Sequence, residues 1–197
     1  KGSTITAKCK TRINNLKMDD GKVEVDHSHW MSQLNPATTM SELSLPGTGG
    51  SFSYGSDQSG YYKSQTLDFG KQWERGIRAF EIVSSQRKTS FASEILTCNK
   101  EDITIGNRNL TVKEVVDSLL NRLAKPNCME TAMAIFTYQS NGGSDSQNSV
   151  SYMAKAMTYF NTISSDKLVL FKPGLTLNEA KGKLMIVVRP NQRDQNN

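Results

Sequence analysis

The chain has 197 residues, with 24 Lys and Arg against 19 Asp and Glu, a formal net charge of +5 and a pI near 9.1. This length suits one domain with a core and excludes two large domains, and no run approaches the roughly 20 apolar residues of a membrane-spanning helix. The positive charge is mild and scattered, so we expect no nucleic-acid partner, whereas anionic lipid or phosphate groups remain compatible with it.

The three cysteines, Cys9, Cys98 and Cys128, are odd in number and show no CxxC spacing. This pattern argues against a zinc site and against a dense disulfide framework, but it leaves open one disulfide with one free thiol. The first residues, Lys1–Thr4, are polar and do not show the pattern of a signal peptide, which we would expect also of a processed secreted protein.

The first half of the chain predicts short alternating elements. Residues 1–28 form a polar lead-in with weak strand character at Lys22–Val25. The segments that follow are predicted as a strand at Leu43–Leu45, a helix at Thr66–Arg75, a strand at Gly76–Val83 and an extended piece at Ser93–Cys98.

The second half repeats the alternation more clearly. Thr111 and Glu114 form a capping box that opens a helix with one apolar stripe: Val115, Val116, Leu119, Leu120 and Leu123. Thr131–Tyr138 and Lys183–Val188 are apolar runs typical of buried parallel strands. Between them, residues 141–149 predict a loop and 150–163 a helix that buries Val150, Met153, Met157 and Phe160. The alternation indicates an α/β fold with a parallel sheet.

Several segments, in order, resemble the X region of bacterial phosphatidylinositol-specific phospholipase C (PI-PLC). The blocks are HWMSQL (29–34), LSLPGTGGSFSYG (43–55), QTLDFGKQWERGIRAFEI (65–82), the run from LTVKEVV to MAIF (110–136) and LTLNEAKGKLMIVVRPNQ (175–192). The second block resembles the family's SIPGTHDS motif. Any one block is a weak signal, whereas their shared order is more specific.

The resemblance implies a TIM-like β/α barrel over residues 29–192, followed by a disordered tail at 193–197. Four or so β/α units amount to about half of an eight-stranded barrel. We therefore expect an incomplete barrel, either truncated or completed by a partner chain or a second copy. The resemblance also implies a secreted or cell-surface protein.

The chemistry implied by the family uses one histidine as general base and another as general acid, helped by an aspartate and a charge-stabilising arginine. The base falls on Gly49, its neighbouring aspartate on Gly50, the arginine on Val83, and the second histidine near Cys98 and Asn99. Only an acidic position is kept, as Glu81. No histidine follows residue 29, so the sequence predicts that the standard mechanism is lost.

Three sets of residues are candidates to replace the lost acid, base and charge-stabilising groups. His27 and His29, next to Asp26, are read as exposed entry-segment residues, although a relocated acid/base pair or metal site stays open. Cys98 is read as a bystander thiol because its neighbours offer no base. In calcium-dependent relatives a glutamate at the position of Glu81 is a metal ligand, but Val83 replaces the second acid, so no cofactor is expected and a divalent cation is a weak alternative. Arg78 is read as structural.

The function predicted from the sequence is a catalytically degenerate PI-PLC-like protein that binds a phosphorylated polyol, a glycan or an anionic lipid headgroup. Five side chains are the binding candidates: Ser51, Ser53, Tyr54, Glu81 and Lys172. Gly49 and Gly50 would contribute space and bare amides. Two alternatives stay open: an active phosphoric diester hydrolase that uses non-standard, metal-assisted residues, and a structural module of a larger assembly.

Overall fold

The computed structural model describes residues 18–19, 22–23, 26–55, 64–88, 94–98, 110–138 and 145–189. Its strands are β1 (Met18–Asp19), β2 (Lys22–Val23), β3 (Gly47–Thr48), β4 (Ala79–Lys88), β5 (Glu94–Cys98), β6 (Ala132–Tyr138) and β7 (Leu184–Arg189). Its α-helices are α1 (Phe69–Glu74), α2 (Val112–Leu123), α3 (Asp145–Phe160) and α4 (Leu177–Ala180). Four short 3₁₀ helices lie at His27–Gln33, Met40–Glu42, Ser53–Gly55 and Ser165–Lys167.

The main sheet has four parallel strands in the order β3-β4-β6-β7, and β5 pairs antiparallel with the far half of β4. The predicted α/β class with a parallel sheet is therefore confirmed. The register places Val83 beside Thr137 and Thr137 beside Arg189. On the outer side of β7, a single bridge from Leu168 to Leu184 is the pairing found among the described residues.

One face of the sheet packs against the helices and holds the larger core. Phe80, Ile82 and Phe136 are fully buried there, together with the apolar stripe of α2. The capping box of Thr111 and Glu114 is present as predicted, with the Thr111 hydroxyl accepting a hydrogen bond from the Glu114 amide. Periodicity and capping therefore predicted α2 correctly.

The helix α3 begins earlier than predicted, and its buried face overlaps the predicted one, since Phe160 is buried and Met153 packs against the core. It starts at Asp145, inside the predicted 141–149 loop, and ends at Phe160. Met157 is 46% exposed, and the buried positions are Tyr152, Ala156 and Phe160. The prediction of Met157 as core was wrong because the small Ala156 and the polar-tipped Tyr152 form the stripe, and the Tyr152 hydroxyl bonds Ser84 inside the core.

Among the described residues, the opposite face of the sheet is covered at its amino end. A second cluster of buried residues lies there: Met31, Met40, Leu175, Leu177, Ala180 and Met185. The helix 27–33 is tied to the main body by the Trp30 indole, whose Nε1 donates to the Gly76 carbonyl at 3.0 Å. Residues 26–33, which we call the entry segment, thus close the amino end of the sheet.

A buried ion pair holds this closure together. Arg78 Nε donates to Glu130 Oε2 at 2.7 Å, and the two side chains are 0% and 1% exposed. Glu130 Oε1 accepts from the amides of Met31 and Ser32, while Arg78 also donates to the carbonyl of Ser28 and stacks on the Trp73 ring at 4.0 Å. Arg78 is structural, as the sequence indicated.

Three predicted element boundaries were wrong by a few residues. Pairing begins at Gly47, not at Leu43–Leu45, because the Pro46 carbonyl accepts the amides of Arg78 and Ala79 just before the strands join. The predicted helix 66–75 begins at Phe69, where the Asp68 carboxylate caps it. Gly76, with φ at +89°, ends that helix, so β4 begins at Ala79.

The domain limits at 28/29 and 192/193 stay predictions. The 3₁₀ helix that begins at His27 with Asp26 as its cap spans the first limit. The predicted tail, Cys9 and Asn99 lie outside the described residues.

Candidate ligand-binding site

The candidate site lies at the carboxyl ends of the parallel strands, on the face that the entry segment leaves uncovered. Ligand sites in β/α folds form at this edge because the loops that follow the strands meet there. The loop after β3 supplies Gly49 and Gly50, β4 supplies Glu81, β6 supplies Thr137 and β7 ends with Arg189.

Hydrogen bonds within the chain hold the glycine loop in place. The Ser51 amide donates to the Glu81 carbonyl at 2.8 Å, and the Ser51 hydroxyl donates to the Thr48 carbonyl at 2.8 Å. The side-chain amide of Gln72, on α1, donates a hydrogen bond to the Ser51 carbonyl and accepts one from the Thr48 hydroxyl. Ser51 is fully buried, so it shapes the loop from inside.

Gly50 makes the turn that the loop needs. Its φ of +54° lies in the left-handed region, and a Cβ placed there would lie 2.3 Å from the Ser64 hydroxyl oxygen. Ser53 is 2% exposed, and its hydroxyl accepts hydrogen bonds from the backbone amides of Ser64 and Gln65. These bonds hold the segment 64–65 next to the glycine loop. A residue with a side chain at position 50 would be strained and would also displace Ser64.

Gly49 leaves room beside Glu81. A Cβ at position 49 would lie 3.2 Å from Glu81 Oε2, tighter than an ordinary contact. The backbone carbonyl of Gly49 is covered from the other side by the side chains of Gln65 and Ser64, at 2.7 and 3.2 Å. The side of Gly49 that faces Glu81 is therefore the accessible one.

Three polar side chains converge on the face of the sheet opposite the helices. The Thr137 hydroxyl donates to Glu81 Oε1 at 3.2 Å, and Arg189 Nη1 lies 3.8 Å from the same oxygen. The Arg189 side chain is 61% exposed and the Glu81 side chain 34%. A carboxylate and a guanidinium at an open rim can bind hydroxyl groups and an oxyanion respectively.

Sequence reasoning missed Arg189 and Thr137. Their approach to Glu81 depends on the register of three strands that are far apart in sequence. The available signal was the position of each residue at the carboxyl end of a predicted strand, where parallel strands bring side chains to one edge.

Comparison with solved structures shows which known fold this arrangement matches. The chain is similar to a mutant of PI-PLC from Staphylococcus aureus, with a TM-score of 0.59 and 20% identity over 84% of this chain and 53% of that one. It is also similar to PI-PLC from Listeria monocytogenes, with a TM-score of 0.55 and 21% identity over 84% of this chain and 58% of that one. The chain has a PI-PLC-like fold. It spans about half the length of these structures, so it forms part of such a barrel.

Neither a protein-family model nor a curated protein matches the sequence. The fold expected from the motif blocks is thus confirmed by structure, at an identity that speaks for the fold alone.

The positions that the motifs assign to the family's catalytic groups lie on β4 and β5 and in the loop after β3, and their correspondence to those groups stays a prediction. Gly49 follows β3 beside Glu81, and Val83 lies two residues beyond Glu81 on the same face, half-buried. Cys98 ends β5 and pairs with Ser84 of β4. Cys128 is a free thiol, and burial raises its pKa.

The chain's two histidines lie near the other end of the sheet. His29 Nδ1 is 3.1 Å from Asp26 Oδ2 and 2.8 Å from the Ser28 hydroxyl. These residues open the 3₁₀ helix whose later amides bind Glu130, just ahead of β6. Hydrogen bonds from Ser28 and His29 lower the pKa of Asp26 to about 2. The exposed reading of the two histidines agrees with this geometry.

The two remaining predicted binding residues, Tyr54 and Lys172, differ in solvent exposure. Tyr54 is half-buried, packs on Phe52 at 6.4 Å between ring centroids, and has its pKa raised by burial. Lys172 is exposed and lies 3.5 Å from Glu179. In the part of the chain that is described, no group of three or more His, Cys, Asp or Glu could hold a metal ion, and no helix is long and apolar enough to cross a membrane.

Proposed function

We propose that this PI-PLC-like chain is a catalytically degenerate binding protein whose ligand is a phosphorylated polyol, such as an inositol phosphate or the headgroup of an anionic lipid. The single observation that carries the proposal is the rim of Glu81, Thr137 and Arg189 beside Gly49. The Glu81 carboxylate can accept hydrogen bonds from hydroxyl groups of the polyol, and the Arg189 guanidinium can form an ion pair with its phosphate.

Arg189 supplies a cation on the level of Val83, the position where the family resemblance implies an arginine. Val83, Thr137 and Arg189 are neighbours across three strands, so the guanidinium reaches the same face from another strand. The oxyanion partner of the family is thereby kept while its proton-transfer groups are not.

Binding without turnover is favoured by the position of the histidines. Phosphodiester cleavage in this family requires proton transfers at the rim, for which imidazole is well suited. His29 instead neighbours Asp26 and lies in the segment whose amides bind Glu130 at the amino end of β6. Glu81 remains at the rim, but a single carboxylate cannot serve as both base and acid in the family's manner.

Calorimetric titration with inositol 1-phosphate tests the proposal. We expect saturable binding that weakens about tenfold in Arg189→Gln, since one charge-assisted contact to a phosphate is worth roughly 1.5–3 kcal/mol. Lys113→Gln is the matched control, because Lys113 is a surface cation paired with Asp117 on α2. Turnover of phosphatidylinositol in vesicles, abolished by Glu81→Gln, would contradict the binding role and favour the hydrolase alternative.

An incomplete barrel is favoured by the outer side of β7, where the bridge at Leu184 is the one pairing among the described residues. Near it lie exposed apolar side chains, among them Leu170 at 85%, Phe171 at 56% and Val187 at 37% exposure. Soluble proteins seldom leave a sheet edge and apolar side chains open together. We propose that further β/α units pair with β7, supplied by a longer form of this chain, by a second polypeptide or by a second copy. The mass in solution checks this, and a monomer with β7 amides exchanging freely would contradict it.

A location outside the cell or at its surface follows only from the family resemblance, and it stays a prediction that fractionation of the source cells would check.

A further inference from the structure

A cavity of about 300 Å³ lies at the amino end of the sheet, away from the Glu81 rim. It is enclosed by the end of α1, the turn between α2 and β6, and the helix 27–33. Its lining residues include Trp73, Glu74, Arg122, Lys125, Pro126 and Cys128. The volume is at the lower end of the range for small-molecule pockets.

One charge in the wall, Glu130, is already neutralised, but two cations are not. Glu130 is fully occupied by Arg78 and by the amides of Met31 and Ser32. Within the described part of the chain, Arg122 and Lys125 have no carboxylate at ion-pair distance. Glu74 is the remaining acid of the lining. The cavity therefore carries an excess of positive charge.

Aromatic contacts position Arg122. Its guanidinium lies over the Phe69 ring at 5.6 Å and over the Trp73 ring at 5.9 Å. A half-buried guanidinium that stacks on aromatic rings keeps its five donors in a fixed plane for an oxyanion. Gly70 of α1 makes room for it, because a Cβ there would lie 2.9 Å from Arg122 Nη2.

The thiol in the wall does not indicate covalent chemistry. Burial raises the pKa of Cys128, so the neutral thiol predominates near neutral pH. Its sulfur lies 3.9 Å from the Glu130 carbonyl, to which it donates weakly. The side chains of the wall are therefore suited to non-covalent binding.

We propose that this cavity binds a small oxyanion, a phosphate monoester or a carboxylate, with Arg122 and Lys125 as its cationic partners. Trp73 and Pro126 provide an apolar wall for the body of the ligand. The site is separate from the Glu81 rim and does not depend on the function proposed for that rim.

Calorimetric titrations with inorganic phosphate and with phenyl phosphate test the site, with acetate and benzoate as the carboxylate arms. We expect saturable phosphate binding, tighter for phenyl phosphate because of the apolar wall. Arg122→Gln should weaken it at least tenfold and Lys125→Gln severalfold. Lys113→Gln, which removes a surface cation from the start of the same helix, should leave it unchanged.

Gly70→Ala provides a test that leaves every charge in place. The new methyl group displaces the Arg122 guanidinium and also meets the capping carboxylate of Asp68, with Oδ1 at 3.2 Å, whereas alanine suits a helix better than glycine. We expect a several-fold loss of affinity with a denaturation midpoint close to that of the wild type. If Arg122→Gln does not fold, this variant decides, and wild-type affinity in it would overturn the proposal.

Two further results would also overturn it. One is the absence of saturable binding for all four anions up to tens of millimolar. The other is phosphate binding that is lost in Arg189→Gln but kept in Arg122→Gln, which would assign the anion to the Glu81 rim. The two sites can therefore fail separately.

Discussion

The two ends of the sheet each contain a glutamate and an arginine, in opposite settings. At the amino end, Arg78 and Glu130 are 2.7 Å apart and buried from solvent. At the carboxyl end, Arg189 and Glu81 are 3.8 Å apart, and their side chains are 61% and 34% exposed. The first pair is saturated by backbone partners, whereas the second has donors and acceptors left over.

The difference distinguishes an ion pair that belongs to the fold from one that is open to solvent. Burying a charge is costly unless every partner is present, so the Arg78–Glu130 pair is a fixed part of the fold. The exposed pair adds little to stability and can exchange its internal contact for a ligand. Residue types alone do not make this distinction, and burial does.

The largest expected effect breaks the comparison directly. Glu130→Gln leaves Arg78 buried without its counter-charge, so the free energy of unfolding should fall by about 3–5 kcal/mol. The same change at the other end, Glu81→Gln, should lower it by less than about 1 kcal/mol. Urea denaturation measures both. Equal losses would show that the two pairs do not differ in role.

An intermediate effect is expected in the glycine loop. Gly50→Ala forces an alanine to φ of +54° and against the Ser64 hydroxyl, so we expect a loss of about 2–3 kcal/mol. Gly49→Ala meets only the flexible end of Glu81, at 3.2 Å, and should cost about 1 kcal/mol or less. Denaturation midpoints of the two variants check the order, and a larger loss at position 49 would contradict it.

The smallest effect concerns the capping carboxylate of the entry segment. Hydrogen bonds from Ser28 and His29 lower the pKa of Asp26 from 3.8 to about 2. The folded state therefore binds the proton less readily than the unfolded state, and the charged carboxylate stabilises the fold above about pH 3.8. This contribution is lost as the pH falls through 2.

Asp26→Asn keeps the capping oxygen and removes the charge. Because Asp26 is more than half exposed, we expect a deficit of about 1 kcal/mol or less at pH 6, which closes towards pH 2. Urea titrations at several pH values measure it. A deficit that is independent of pH would assign the effect to shape and not to charge.

Much of the fold could be predicted from the sequence because its signals are local. The capping box at Thr111 and the apolar runs of β6 and β7 depend on neighbours within a few residues. The helix α3 was less predictable, since its buried stripe uses Tyr152 and Ala156 and passes over a methionine.

The candidate site was predictable only in part. Gly49 and Glu81 were found through the motifs, but Arg189 reaches Glu81 through a register between distant strands. Ser51 and Ser53 have the polarity of ligand-binding residues, yet the turn at Gly50 folds them inward, where they bond the chain itself. Burial of a short polar side chain depends on tertiary structure and leaves no mark in a single sequence.

The left-handed backbone at Gly50 also bears on how this sequence could change. An acid at that position would need a different turn and a displaced Ser64, so a single substitution there first damages the loop. Position 49 has no such barrier, since its backbone suits any residue and its neighbour is a movable carboxylate. A substitution that adds a side chain is therefore tolerated at position 49 and obstructed at position 50.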